Sequence, residues 1–171
     1  MAALTAGWPL ASSLVHNPRP LAAGSRLTLG PNRLSAARFT VGPGWSMLRA
    51  SSNPHQGYAL ARGPVRLSIR YVALISAGQE PQLLAGLHTV LRLSNPGVTL
   101  GQPRPVITAQ GRHGITGVVS GRGVTGIVAI VPAPSRQFAI QVLVLGPPRD
   151  KLASRGAESR LVRSLLFPAA R

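Results

Sequence analysis

Between Val65 and Tyr71 the side chains alternate without a break, and no other stretch limits the possible folds so strongly. Val65, Leu67, Ile69 and Tyr71 are apolar; Arg66, Ser68 and Arg70 between them are polar. Successive strand residues point to opposite faces, so this pattern predicts a strand with one face buried and one carrying arginine. Gly63-Pro64 separates it from the run beginning at Tyr58 and reads as a turn. A chain with such a hairpin at its middle is committed to a sheet, and the apolar row needs a cover.

The nearest candidate cover follows directly. Glu80-Pro81 has the form of a helix start, with proline tolerated in the first turn and an acid at the positive end of the dipole. Leu83, Leu84, Leu87, Val90 and Leu91 then make one apolar stripe, and Asn95-Pro96-Gly97 stops it. Consecutive elements usually pack together, so the Val65–Tyr71 row is expected to bury against this helix through Leu84, Leu87 and Leu91.

Upstream, Phe39 and Val41 alternate with Arg38 and Thr40 as a first strand, and Trp45 follows Gly42-Pro43-Gly44 as a core anchor. Residues 46–57 read as loop. Downstream, short strands are expected at Val98–Leu100 and Val106–Ala109, then Ile115–Val119, Val124–Val131 and Gln137–Leu145. The last is so continuously apolar that both its faces should be covered. A closing helix after Asp150 would present Leu152, Ala157, Leu161, Val162, Leu165 and Leu166 on one side. The order predicts an α+β fold: a mostly antiparallel sheet of about six strands with two helices packed on it.

Three segments are expected. Residues 1–15 are apolar and uncharged, shorter than the roughly 20 residues that span a bilayer. They read as the tail of an anchor or a weak signal, with an unstructured terminus as the alternative. Residues 16–35 have the Pro/Gly composition of a linker, within which Arg26–Leu29 could form a short strand. Residues 36–168 make a single α+β domain.

Charge is the next constraint. Lys+Arg number 19 against 3 Asp+Glu, a net charge of +16, and Lys151 is the only lysine. Such an excess suits a polyanion, either nucleic acid or an anionic membrane surface. The arginines are spaced singly, however, and Arg, Ala, Gly and Pro rise together in GC-rich coding sequence. Arg62, Arg66 and Arg70, gathered around the central hairpin, are the candidate polyanion contacts.

Little else points to chemistry. Cysteine is absent, which removes disulfides, thiolate metal sites and cysteine nucleophiles. Glu80, Asp150 and Glu158 are the only acids, and two of them sit at helix starts. His16, His55, His88 and His113 share no ligand spacing. Gly121-Arg122-Gly123-Val124-Thr125-Gly126 spells G-x-G-x-x-G, but a β-branched run follows where a dinucleotide site needs a helix, so the glycines read as a hairpin turn. No catalytic residue, metal or cofactor is assigned.

Phe39-Thr40-Val41-Gly42-Pro43-Gly44-Trp45 resembles the F-x-V-P-x-G-W entry of the PsbP-like superfamily, with Gly42 where proline is usual. That superfamily takes in LpqN-type lipoproteins and a Ran-binding import factor. The order of elements over residues 36–168 is similar to its plan. The resemblance implies an antiparallel sheet carrying helices, and an adaptor rather than an enzyme, with an unidentified protein partner. It also implies an extracytoplasmic or membrane-associated location, since actinobacterial members often sit on an N-terminal anchor. A basic nucleic-acid-binding protein is the alternative from a different class, and an uncharacterised enzyme the third.

Overall fold

The computed structural model describes residues 18–76 and 78–168; the apolar segment 1–15 lies outside them. Among the described residues there are eleven strands and two helices. The strands are β1 (Arg19–Pro20), β2 (Arg26–Leu29), β3 (Ala37–Thr40), β4 (Ser46–Met47), β5 (Gly57–Arg62) and β6 (Val65–Ala73). Helix α1 (Glu80–Ser94) follows, then β7 (Thr99–Leu100), β8 (Arg104–Ile107), β9 (His113–Gly121), β10 (Val124–Pro132), β11 (Phe138–Gly146) and α2 (Lys151–Arg163). Nine strands form one sheet in the order β1-β4-β5-β6-β11-β10-β9-β7, with β8 also paired to β9; β2 and β3 make a separate ribbon. Every pairing is antiparallel. The fold is α+β as expected, with more strands than the six anticipated. Part of the excess is the two-residue strands β1 and β4, which are too short to show a period in sequence.

The sheet is covered on both faces at its centre. On one face Val65, Leu67 and Ile69 of β6, Ile140, Val142 and Val144 of β11, and Ala129 and Val131 of β10 meet Ala157, Leu161 and Val162 of α2. Phe39, Val41 and Trp45 seal the side of that core. On the opposite face Leu84 and Leu91 of α1 meet Val128 and Ile130 of β10 and Ala139, Leu143 and Leu145 of β11. Strands β10 and β11 therefore send alternate residues into two cores, which is why their sequences are apolar at nearly every position.

The register of β6 is as the alternation predicts: Ile69 is wholly buried and Arg70 exposed. Its cover is not. The Val65–Ile69 row packs in the α2 core, and α1 lies on the other face. The expectation failed because β6 takes β11 as its neighbour, so the sheet's two faces are filled by elements far apart in sequence. Ser68, on the arginine-bearing face, is buried as well.

The linker expected over 16–35 is also corrected. From residue 18 it is part of the folded body: β1 pairs with β4, β2 pairs with β3, and Leu29 is fully buried. Its prolines and glycines punctuate short strands instead of loosening a spacer; Gly24 and Gly30 take φ of 80° and 145° at the turns. In the closing helix, Ala157, Leu161 and Val162 are buried as expected, but Leu166 lies beyond the helix, half exposed, in an extended bridge to Arg38.

Candidate functional site

Three chain reversals meet at one end of the sheet. Gly63-Pro64 turns β5 into β6, with Gly63 at φ 53°. Arg122-Gly123 turns β9 into β10, with Gly123 at φ 74°. Pro147 ends β11, and Pro148–Asp150 form a short 3-10 turn. Because Arg66 pairs with Leu145 and Leu145 with Gly126, these reversals stand side by side. Between them, on the α1 face, is an open concavity of about 390 Å3.

Its floor is Leu143 and Leu145 of β11, and its wall is Val124 at the start of β10. Pro64, Gly123, Gly146 and Pro147 supply rim backbone that is stiff or free of side chains. Among the described residues that line it, Arg66 and Arg149 are the charged members. Arg66 is held in place by its own turn: one guanidinium nitrogen donates to the carbonyl oxygens of Gly63 and Val65. Arg149 is exposed.

The G-x-G-x-x-G run explains part of this shape. A Cβ at Gly126 would overlap the Val144 carbonyl oxygen and stand 2.7 Å from Cδ2 of Leu145. Glycine there lets the Leu145 side chain lie across β10 as floor. A Cβ at Gly121 would sit 2.8 Å from a Val98 methyl, so that glycine admits the segment after α1. The motif is a hairpin with two close approaches, not a phosphate cradle.

The three arginines singled out in the sequence do not make one surface. Arg62 lies on the α2 side of the sheet, its guanidinium 4.9 Å from the centroid of the Trp45 ring. Arg66 lines the concavity. Arg70 is on the same face as Arg66, two pleat repeats along the strand with Ser68 between them, opposite Gln141. The cation that joins Arg66 is Arg149, which sequence reasoning missed. The Gly146-Pro147-Pro148 break marks a strand end, but only the long-range pairing of β6 with β11 brings it beside the β5–β6 turn.

The described histidines and Glu80 are not among the residues that line the concavity. His88 Nε2 lies 3.4 Å from the Val98 carbonyl oxygen and His55 Nδ1 lies 3.3 Å from that of Gly30. His113 opens β9 and is exposed. Glu80 is the first residue of α1. His16 lies outside the described residues, as do the side chains of Asp150 and Glu158. Among the described residues, no three of His, Cys, Asp and Glu gather where they could hold a metal. No helix among them is long and apolar enough to cross a membrane.

An antiparallel sheet held between an N-terminal ribbon, one mid-chain helix and one closing helix defines the class. No protein-family model matches the chain, and no curated protein matches its sequence. Solved structures do match in fold. The cyanobacterial PsbP (CyanoP) of Synechocystis superposes with a TM-score of 0.60 at 9% identity, over 86% of this chain and 95% of that one. The Ran-binding protein Mog1p of Saccharomyces cerevisiae superposes with a TM-score of 0.56 at 11% identity, over 85% of this chain and 96% of that one. The PsbP-like resemblance seen at Phe39–Trp45 is thus a resemblance of fold.

Proposed function

We propose that this chain is a non-enzymatic binding module that docks an acidic protein partner, in an extracytoplasmic or membrane-associated setting. One observation carries the choice of partner: among the described residues the hairpin arginines leave the sheet on both sides, and the aromatic rings are wholly or partly buried. Phe39, Trp45, Tyr58, Phe138 and Phe167 all belong to the α2 core. Tyr71 is stacked on Phe138 at 4.9 Å. Proteins that bind single-stranded nucleic acid or RNA loops stack bases on exposed rings, and these rings are committed elsewhere. Duplex binders concentrate their cations along one element or face, whereas here Arg62 and Arg66 leave the hairpin on opposite sides. Dispersed arginines on a rigid sheet instead give orientation and a fast encounter with an acidic surface. The Ran-binding activity in the name of the fold neighbour Mog1p agrees with a protein partner.

The reading is tested by cross-linking and affinity purification of the full chain from its native cells, followed by reconstitution with the purified partner. An acidic protein bound with marked salt sensitivity is the expected result. Retention of nucleic acid with no protein partner overturns it in favour of the nucleic-acid alternative. The location is tested separately by fractionation, and recovery wholly in the soluble cytoplasm removes that part.

A further inference from the structure

We infer that the concavity between Arg66 and Arg149 is the partner's docking point, and that it seats one large apolar side chain flanked by carboxylates. The inference rests on the protein-binding reading above and narrows it to a site. Three features converge. The floor of Leu143 and Leu145 with the Val124 wall is apolar and concave, which suits a hydrophobic anchor. At about 390 Å3 it has room for one side chain and the backbone bearing it, and not for a nucleic-acid groove. Its charged lining residues, among those described, are both arginines, so an incoming carboxylate can meet two guanidinium groups. Arg66 is already oriented by its bonds to the Gly63 and Val65 carbonyls, so little rotamer freedom is lost when a carboxylate arrives. Gly126 keeps β10 close against the floor, because a Cβ there would overlap the Val144 carbonyl oxygen and crowd Cδ2 of Leu145. The matching segment therefore has acids on both sides of a short apolar stretch, one of whose side chains, aromatic or leucine, enters the concavity.

The probe is the fluorescein-labelled peptide Asp-Glu-Phe-Leu-Glu-Asp, titrated with the full-length protein at about 0.15 M sodium chloride, where remote charges are screened, and read by anisotropy. Four comparisons decide the matter. Arg66→Glu with Arg149→Glu should weaken binding at least about tenfold. Val124→Trp, which fills the concavity and keeps both arginines, should weaken it as much. Arg104→Glu with Arg112→Glu, the same charge change at exposed positions away from the site, should leave it within about twofold. The peptide Asp-Glu-Gly-Gly-Glu-Asp, with the same charge and no anchor, should bind at least about tenfold more weakly. Amide shifts on titration should centre on Gly123, Val124 and Gly146. The site is overturned if the two charge-reversal pairs weaken binding equally, if the anchorless peptide binds as well, or if the shifts centre elsewhere. Failure to bind peptide together with binding to phosphatidylglycerol vesicles, lost in Arg66→Glu/Arg149→Glu, assigns the site to lipid and overturns it too. If the peptide fails while an acidic partner is still recovered by cross-linking, this docking point falls and the module reading stands. Unchanged melting temperatures of the variants separate lost binding from lost folding.

Discussion

Ile69 and Arg70 are neighbours in sequence and opposites in environment: the first has no exposed surface, and the second projects from the other face into solvent. Ile69→Ala leaves a void under α2 and is expected to cost about 2–5 kcal/mol, whereas Arg70→Ala should cost under about 0.5 kcal/mol. Urea unfolding of both variants checks the pair. Tyr58 is buried between β5 and the N-terminal ribbon, and its hydroxyl donates to the Thr28 carbonyl at 2.9 Å. Burial raises its pKa above the ordinary value of 10.0. A folded state that holds this proton more tightly than the unfolded chain is fully stabilised below pH 10 and loses that stability as pH rises beyond it. Tyr58→Phe is therefore expected to cost about 1 kcal/mol at neutral pH, from the lost hydrogen bond, and to flatten the alkaline decline. Urea midpoints from pH 8 to 11 measure both. Alternation made Ile69 and Arg70 readable in advance. Nothing in the sequence marked Arg149, because its role depends on a neighbour about eighty residues away, beyond the reach of any local pattern.

The elements were legible where they are long and periodic. Helix α1 spans Glu80–Ser94 as its proline start and Asn95 stop predict. β6, β10 and β11 follow their apolar runs to within a residue or two. Which helix covers which face was not legible. Leu84 and Leu91 make a stripe that any apolar face could bury, and proximity in sequence favoured the wrong one. Double-mutant cycles distinguish the arrangements. Leu84→Ala and Ile69→Ala, on opposite faces, should be additive within about 0.5 kcal/mol. Leu161→Ala shares the Ile69 cluster and should couple to Ile69→Ala by more than that. Both strands of the N-terminal ribbon were legible, β2 at Arg26–Leu29 and β3 around Phe39; with Pro18, Pro20, Gly24, Gly30 and Pro31 so close together, what composition masked is that Leu27 and Leu29 pack into the α2 core or against it.

At the scale of the molecule, +16 of net charge is spread over a body of 171 residues. Like charges at this density repel within the folded state, so added sodium chloride should raise the melting temperature until screening is complete. A melting temperature that falls with salt would mean that hidden ion pairs outweigh the repulsion. The sheet's connectivity has a further effect, on assembly in time. β6, at residues 65–73, is hydrogen-bonded to β11, at residues 138–146, and everything from α1 to β10 is inserted between them. While the chain is being synthesised from its N-terminus, the β5–β6 hairpin has only the two-residue strands β4 and β1 beside it and no neighbour on the β6 side, and so small a sheet without its covering helix is marginal in water. Leu67, Ile69 and Val65 stay wet until β11 and α2 have emerged. Contacts of such long separation slow folding, because a large loop must close before they are made. A nascent chain arrested before residue 138 should therefore remain sensitive to protease throughout its first half, with the centre of the sheet closing only after the last strand is released.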